Sequence, residues 1–167
     1  MPSFSSLVLS LVLSLSAADV GVAPTSPNNL SVSVVGTAPE AFGAATPFIL
    51  VARVKVQEGK KAEYLRAAAV ADRGVMLSEP GMLHHTFDEL DGKAFDFCWS
   101  EVYADDSALA AHLANPVVGE YLTAHAEFGA DFAVEIYGSV GSELREALGG
   151  LPFPVQVYPT MLGYSRV

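Results

Sequence analysis

The chain is poor in cysteine and in positive charge. Cys98 is the single cysteine among 167 residues, which excludes an intrachain disulfide and any zinc or iron–sulfur site built from several cysteines. Nineteen acidic residues outnumber nine lysines and arginines, so the formal net charge is −10. A chain of this charge repels phosphate backbones and anionic lipid surfaces, and we therefore expect no nucleic-acid or membrane partner.

Charge is nearly absent from the first 47 residues, where only Asp19 and Glu40 are charged. The apolar run Leu7–Leu15 is too short to cross about 30 Å of hydrocarbon as a helix, which argues against a transmembrane anchor. This run and the small residues after it are typical of a signal peptide at 1–18, although the preceding Lys or Arg is missing. Residues 1–47 are interpreted as a targeting segment or flexible linker, which leaves secretion, organelle targeting and the cytoplasm open.

Hydrophobic periodicity predicts six elements after this segment. They are a strand at 48–56, a helix at 60–78, strands at 82–90 and 94–103, a helix from 105 or 106 to 128 that is broken at Asn115-Pro116, and a strand at 132–138. Asp91-Gly92 suits a tight hairpin turn between the second and third strands. The order β-α-β-β-α-β is that of the ferredoxin-like split βαβ, an α+β fold with a four-stranded antiparallel sheet and both helices on one face.

The second face of the predicted sheet carries apolar residues and no helices. A two-fold homodimer that joins two such sheets into a barrel would cover it, and we therefore expect a homodimer. The folded domain is expected at 48–141. Residues 142–167 are interpreted as a short helix, at 142–148, and a C-terminal arm that lies across the partner subunit.

The predicted core resembles the antibiotic biosynthesis monooxygenase (ABM) domain. The matching features are the first strand with its Gly59 turn, the corner Glu79-Pro80-Gly81, Glu101-Val102-Tyr103, the run from Ala108 to Leu113, and Asn115-Pro116. This resemblance covers residues 48–138. It implies a dimeric α+β barrel and, in the enzymatic members, oxidation of phenols, hydroquinones or anthrones by molecular oxygen without a cofactor. The expected partners are thus a small aromatic substrate and oxygen.

The haem-degrading members of this family use an Asn in the first strand and a Trp and a His on the broken helix. Here Ala52 lies near the Asn position, His112 replaces the Trp, and His125 would match the His only after a shift along the helix. The resemblance therefore implies no haem, and we expect no other cofactor or metal. Many quinol-oxidising members carry a His after the helix-breaking Pro, where this chain has Val117.

Oxygenation without a cofactor requires an apolar pocket for a flat ring and a base that deprotonates its hydroxyl, because the anion can then reduce oxygen by one electron. His112 and His125 are the candidate bases, since imidazole titrates near pH ~6.5. Glu101 shares a strand face with aromatic side chains and is expected to orient an imidazole or the substrate hydroxyl. The candidate substrate-binding residues are Trp99, Phe97, Tyr103, Tyr121 and Arg53.

These residues also have structural interpretations. Aromatic rows on strands usually belong to the core, and Glu101 could form an ion pair with Arg53 on the neighbouring strand. Adjacent His84 and His85 point to opposite faces of their strand, which argues against a shared metal site. Two functions therefore stay open. One is a cofactor-independent monooxygenase, and the other is a non-catalytic dimeric barrel that binds a small hydrophobic metabolite or acts as an accessory domain.

Overall fold

The computed structural model describes residues 46–91 and 94–165, so the interpretation of the first 45 residues and the Gly92 turn position lie outside it. The elements in this part of the chain are β1 (Phe48–Val56), α1 (Lys61–Ser78), β2 (Met82–Glu89), β3 (Phe97–Tyr103), α2 (Asp106–Ala114), α3 (Pro116–Phe128), β4 (Gly129–Tyr137), α4 (Ser142–Gly149) and β5 (Val155–Tyr158). The predicted β-α-β-β-α-β order and the break between α2 and α3 are confirmed.

The sheet has the strand order β2-β3-β1-β4-β5. Its first four strands are antiparallel, with β1 between β3 and β4, which is the predicted ferredoxin-like arrangement. Leu50 pairs with Glu101, and Ala52 pairs with both Trp99 and Val134. Because side chains directly opposite each other share a sheet face, this register gathers the central side chains of β1, β3 and β4 on one side.

The core lies between this sheet face and the helices. Helix α1 buries one stripe, formed by Tyr64, Ala68, Ala71 and Val75, as the spacing of four, three and four predicted. The sheet contributes alternate residues of β1, which follow a strict pattern of buried and less buried positions. The buried stripe of α1 and the buried face of β1 therefore belong to one apolar core.

Two side-chain caps produce the broken helix. The Asp105 carboxylate accepts a hydrogen bond from the Ala108 N–H at 2.9 Å and starts α2. Asn115 accepts one from the Val117 N–H at 3.2 Å, and Pro116 follows at the start of α3. Proline is favoured there because the first helical N–H has no partner within the helix. This restart places the last turn of α2 beside the sheet.

The connection between β2 and β3 is longer than the predicted two-residue turn. The closing hydrogen bond runs from the Leu90 N–H to the Asp96 carbonyl at 2.8 Å, and β3 starts at Phe97 instead of residue 94. Asp96 is held by β1, since its carboxylate accepts from the Val56 N–H at 2.8 Å and from the Lys55 ammonium at 2.9 Å. These bonds hold the end of the loop against β1.

Within the predicted C-terminal arm, Val155–Tyr158 form a fifth strand parallel to β4 of their own sheet, and the contact of the arm with a partner subunit stays a prediction. The Val134 N–H donates to the Pro154 carbonyl at 2.9 Å, and the Gly138 N–H donates to the Tyr158 carbonyl at 3.0 Å. Parallel pairing needs a crossover connection, and α4 supplies it.

The other face of the sheet has a mixed composition. Arg53 and Glu135 form an ion pair across β1 and β4 at 3.0 Å, while Ile49 and Tyr137 are exposed. The expected homodimer on this face stays a prediction. Within residues 46–91 and 94–165, no helix combines the length and apolar composition needed to cross a membrane.

Candidate active site

A cavity of about 70 Å³ lies between the sheet and the helices. Its walls are largely apolar, and its polar groups come from β2, β3, α2 and α3. The side chains that supply them are His85, Trp99, Glu101, Tyr103, His112 and Tyr121. A concave apolar site with a few converging polar groups is the arrangement expected of a small-molecule site.

Glu101 is a carboxylate at the wall of the cavity and is only 4% exposed. Its Oε2 accepts a hydrogen bond from the Tyr103 hydroxyl at 2.7 Å, and its Oε1 lies 3.5 Å from His85 Nε2. Burial and the neighbouring Glu101 carboxylate raise the pKa of Tyr103 well above its ordinary value. Tyr103 therefore stays protonated and donates, so the buried carboxylate has a partner on each oxygen.

His85 joins two carboxylates at the edge of the cavity. Its Nδ1 lies 3.0 Å from Asp72 Oδ1, and its ring stacks on Trp99 with the ring centroids 4.5 Å apart. Burial acts to lower the pKa of His85, but hydrogen bonds and charge from Glu101 and Asp72 raise it above its ordinary value. His85 is therefore held toward its cationic form.

His112 is held by a second buried carboxylate. Its Nδ1 lies 2.9 Å from Glu79 Oε2, and the Asn115 amide donates to Glu79 Oε1 at 2.6 Å. Burial acts to raise the pKa of Glu79, but the bonds from His112 and Asn115 together with the nearby imidazoles lower it below its usual value. Because an ionised Glu79 accepts from Nδ1–H, Nε2 is the nitrogen of His112 that can take up a proton.

His125, the other candidate base, is not among the residues that line the cavity. Its Nδ1 lies 2.7 Å from the Tyr64 hydroxyl, which lies 2.7 Å from the Tyr121 hydroxyl. Tyr121 in turn accepts from Trp99 Nε1 at 2.8 Å. Burial lowers the pKa of His125, which favours its neutral form as the acceptor. His125 is thus linked to the cavity by hydrogen bonds through two tyrosines.

The remaining predicted site residues divide between cavity and core. Trp99, Tyr103 and Tyr121 line the cavity, whereas Phe97 does not and packs on Phe87 with the ring centroids 4.9 Å apart. The expected Glu101–Arg53 ion pair is wrong. Its physical reason is strand alternation: Leu50 opposite Glu101 points to the helices, so Arg53 points away from them and pairs with Glu135.

Sequence reasoning missed His85 as a cavity residue. The strand register pairs His85 with Glu101 and His84 with Val102, so the first histidine of the adjacent pair is exposed on the opposite face. The available signal was the alternation of β2, in which Phe87 shares the face of His85. This alternation could be used only if it was known which face of β2 packs against the helices.

The raised pKa of His85 predicts a pH dependence of stability. A histidine titrates near pH 6.5 in an unfolded chain, and the raised folded pKa means that the folded state holds the proton more tightly. The stabilisation is complete below pH ~6.5 and is lost as the pH rises through the folded pKa. We expect the free energy of unfolding, measured with urea, to fall in that window.

His85→Gln should flatten this fall, and His84→Gln, which changes the exposed neighbour, should retain it. His125 does not interfere, because its lowered pKa changes stability below pH ~6.5. If the free energy of unfolding fell equally steeply with pH in His85→Gln and in the unchanged protein, the pH dependence could not be assigned to His85.

The described part of the chain contains no group of three or more His, Cys, Asp and Glu side chains placed to hold a metal ion. Cys98 is buried. It pairs with Arg53 in the sheet register and faces away from the cavity.

The family model for antibiotic biosynthesis monooxygenase (ABM) matches residues 47–127 of the chain. The match runs from the start of β1 almost to the end of α3. It therefore contains the polar residues of the cavity, but it ends before β4, α4 and β5.

Solved structures have a similar fold. MupZ from Pseudomonas fluorescens has a TM-score of 0.56 at 21% sequence identity, over 72% of this chain and 95% of MupZ. A protein from Caulobacter crescentus CB15, provisionally described as an antibiotic biosynthesis monooxygenase, has a TM-score of 0.53 at 22% identity, over 56% of this chain and 90% of its own. At these identities the similarity concerns the fold. No curated protein sequence matches the chain.

Proposed function

We propose that this protein is a cofactor-independent monooxygenase that oxidises a small phenol, quinol or anthrone with molecular oxygen. The observation that carries the proposal is the convergence of His85, Glu101 and His112 on one largely apolar cavity. Each imidazole has a carboxylate partner within hydrogen-bond distance. The match of residues 47–127 to the monooxygenase family model supports the same reaction class.

His112 is the proposed general base. Its Nε2 takes the proton of the substrate hydroxyl, and Glu79 at Nδ1 stabilises the imidazolium that forms. A buried carboxylate behind an imidazole fixes the tautomer and the orientation of the ring. The pair therefore leaves Nε2 of an oriented imidazole as the proposed proton acceptor.

His85 is proposed to stabilise the negative charge that this proton transfer creates. Held toward its cation by Glu101 and Asp72, it presents positive charge at a wall of low polarity, where an electrostatic interaction is stronger than in water. Glu101 acts on His85 as a positioning residue. Trp99, whose ring stacks on His85, also lines the cavity and supplies apolar contact to the substrate.

The substrate anion then gives one electron to oxygen, and superoxide and the substrate radical combine to a peroxide. Loss of water from the peroxide forms the new carbonyl. For hydroquinone the balance is hydroquinone plus O2 giving hydroxybenzoquinone plus water. One oxygen atom enters the product, and the other leaves in water.

Oxygen consumption by the full chain tests the proposal. Hydroquinone, 1-naphthol and anthrone would be supplied without flavin or metal, and the rates corrected for autoxidation. We expect turnover that is strongly reduced in His85→Ala and retained in His84→Ala, its exposed neighbour on the opposite sheet face. The absence of turnover with all three substrates would count against the proposal.

A non-catalytic barrel that binds a small hydrophobic metabolite, or an accessory domain, is the alternative. The residue after Pro116 favours this alternative. It is Val117, which packs against α1: a Cβ added to Gly74 of that helix would lie 2.7 Å from the Val117 side chain. Val117 thus offers no titratable group where many quinol-oxidising members carry a His. Binding of these compounds without oxygen uptake would support this alternative.

We further propose that the protein is a homodimer, with a second copy on the sheet face of Arg53 and Glu135. The exposed Ile49 and Tyr137 on that face support this. Sedimentation analysis would report twice the chain mass if the proposal is right, and a single chain mass at micromolar concentration if it is wrong.

A further inference from the structure

Part of the cavity wall comes from chain beyond the ABM match. Leu148, Leu151 and Phe153 line the cavity together with the polar groups of the site, whereas the family match ends at residue 127. These residues belong to the end of α4 and its connection to β5, which we call the wall segment (residues 148–153).

The wall segment is anchored on both sides. Before α4, the Gly141 N–H donates to the Asp106 carboxylate at 2.7 Å, which ties the chain to the start of α2. After the segment, the Pro154 carbonyl accepts from the Val134 N–H at 2.9 Å, where β5 joins β4. Since proline has a fixed φ, Pro152 and Pro154 restrict the backbone on each side of Phe153. The segment therefore forms a fixed wall.

The wall segment separates the cavity from solvent. Leu151 and Phe153 line the cavity and are half-buried, while Pro152 between them is exposed. The Phe153 ring also packs on Phe132, with the ring centroids 4.7 Å apart. Removal of the Phe153 ring would thus extend the cavity outward.

The size of the cavity restricts what it can take. Its volume is about 70 Å³, compared with roughly 150 Å³ for an engineered apolar cavity that binds benzene. Because the cavity is smaller than one that binds benzene, side chains must move slightly to admit a single aromatic ring. A second fused ring would have to displace the wall segment.

We propose that the wall segment, chiefly Phe153, determines substrate size and restricts the site to single-ring phenols and quinols. This inference rests on the proposed function, because it assumes that the substrate occupies this cavity. It narrows the substrate class, since naphthols and anthrones are excluded by the wall and not by the polar groups.

Calorimetric binding of phenol and 1-naphthol under argon tests the inference without requiring turnover. The unchanged protein should bind phenol more tightly than 1-naphthol. Phe153→Ala should increase the affinity for 1-naphthol at least tenfold relative to phenol. Phe153→Val, a smaller truncation, should have an intermediate effect, and it serves as the test if Phe153→Ala impairs folding. Phe128→Ala is the matched control, because Phe128 is also half-buried but does not line the cavity.

The inference is overturned if the unchanged protein binds 1-naphthol at least as tightly as phenol, or if neither compound binds. It is also overturned if the ratio of affinities does not move in either Phe153 variant or moves equally in Phe128→Ala. Size selection without any oxygen uptake would contradict the proposed function and leave the inference standing, so the two failures can be told apart.

Discussion

Replacement of His112 by Gln is expected to lower the kcat of oxygen consumption by a factor of about 100 to 10,000, the usual contribution of a general base. Glutamine can occupy a similar volume and hydrogen-bond to Glu79, but it cannot take up the substrate proton. The loss should therefore fall on kcat more than on KM. Stopped-flow or electrode measurements under saturating oxygen would give both constants.

Two companion variants locate the effect. Glu79→Gln keeps the His112 imidazole but removes the negative charge beside Nδ1, so we expect a smaller loss than in His112→Gln. His125→Gln should change kcat less than tenfold, because His125 does not line the cavity and its hydrogen bonds toward it run through Tyr64 and Tyr121. A large loss in His125→Gln with a normal rate in His112→Gln would reverse the assignment of the base.

Replacement of Trp99 by Ala is expected to lower the free energy of unfolding by about 3–5 kcal/mol, as for other large aromatic truncations in cores. Trp99 is 3% exposed and its ring lies against His85 and Phe87. Its Nε1–H donates to Tyr121 at 2.8 Å. The truncation would open a void and leave the Tyr121 hydroxyl with one donor fewer.

Urea unfolding followed by far-ultraviolet circular dichroism measures this loss, since Trp99 is the only tryptophan of the chain and cannot report on its own removal. Trp99→Phe should lose less, because it keeps an aromatic ring and gives up the N–H bond. Leu77→Ala, at a side chain that is 71% exposed, should stay within about 0.5 kcal/mol of the unchanged protein. Equal losses in Trp99→Ala and Leu77→Ala would show that Trp99 has no packing role.

The fold was predictable where local signals agree. Alternation in β1 and the stripe of α1 are periodic patterns that depend on neighbouring residues only. The caps at Asp105 and Asn115 are likewise local, because each side chain bonds backbone within three residues. β5 was missed because a four-residue strand carries little periodicity, and its pairing with β4 depends on the α4 crossover.

The site was less predictable, because its contacts join residues that are distant in sequence. His112 was identified, but its partner Glu79 lies 33 positions away and was seen only as part of a turn. His85 could not be placed without the register of β2 on β3. Arg53 illustrates the same limit. It lies on the strand next to Glu101, as predicted, but its side chain is on the opposite face of the sheet. Long-range register, which local sequence does not encode, decides which polar groups meet.

The most direct test of the account is turnover under ¹⁸O2, with hydroquinone as the substrate and the product analysed by mass spectrometry. The account predicts one ¹⁸O atom in each hydroxybenzoquinone formed, the other in water, and loss of labelled product in His112→Gln. Unlabelled benzoquinone with hydrogen peroxide as the only reduced oxygen species would mean simple oxidation without oxygen insertion and would contradict it.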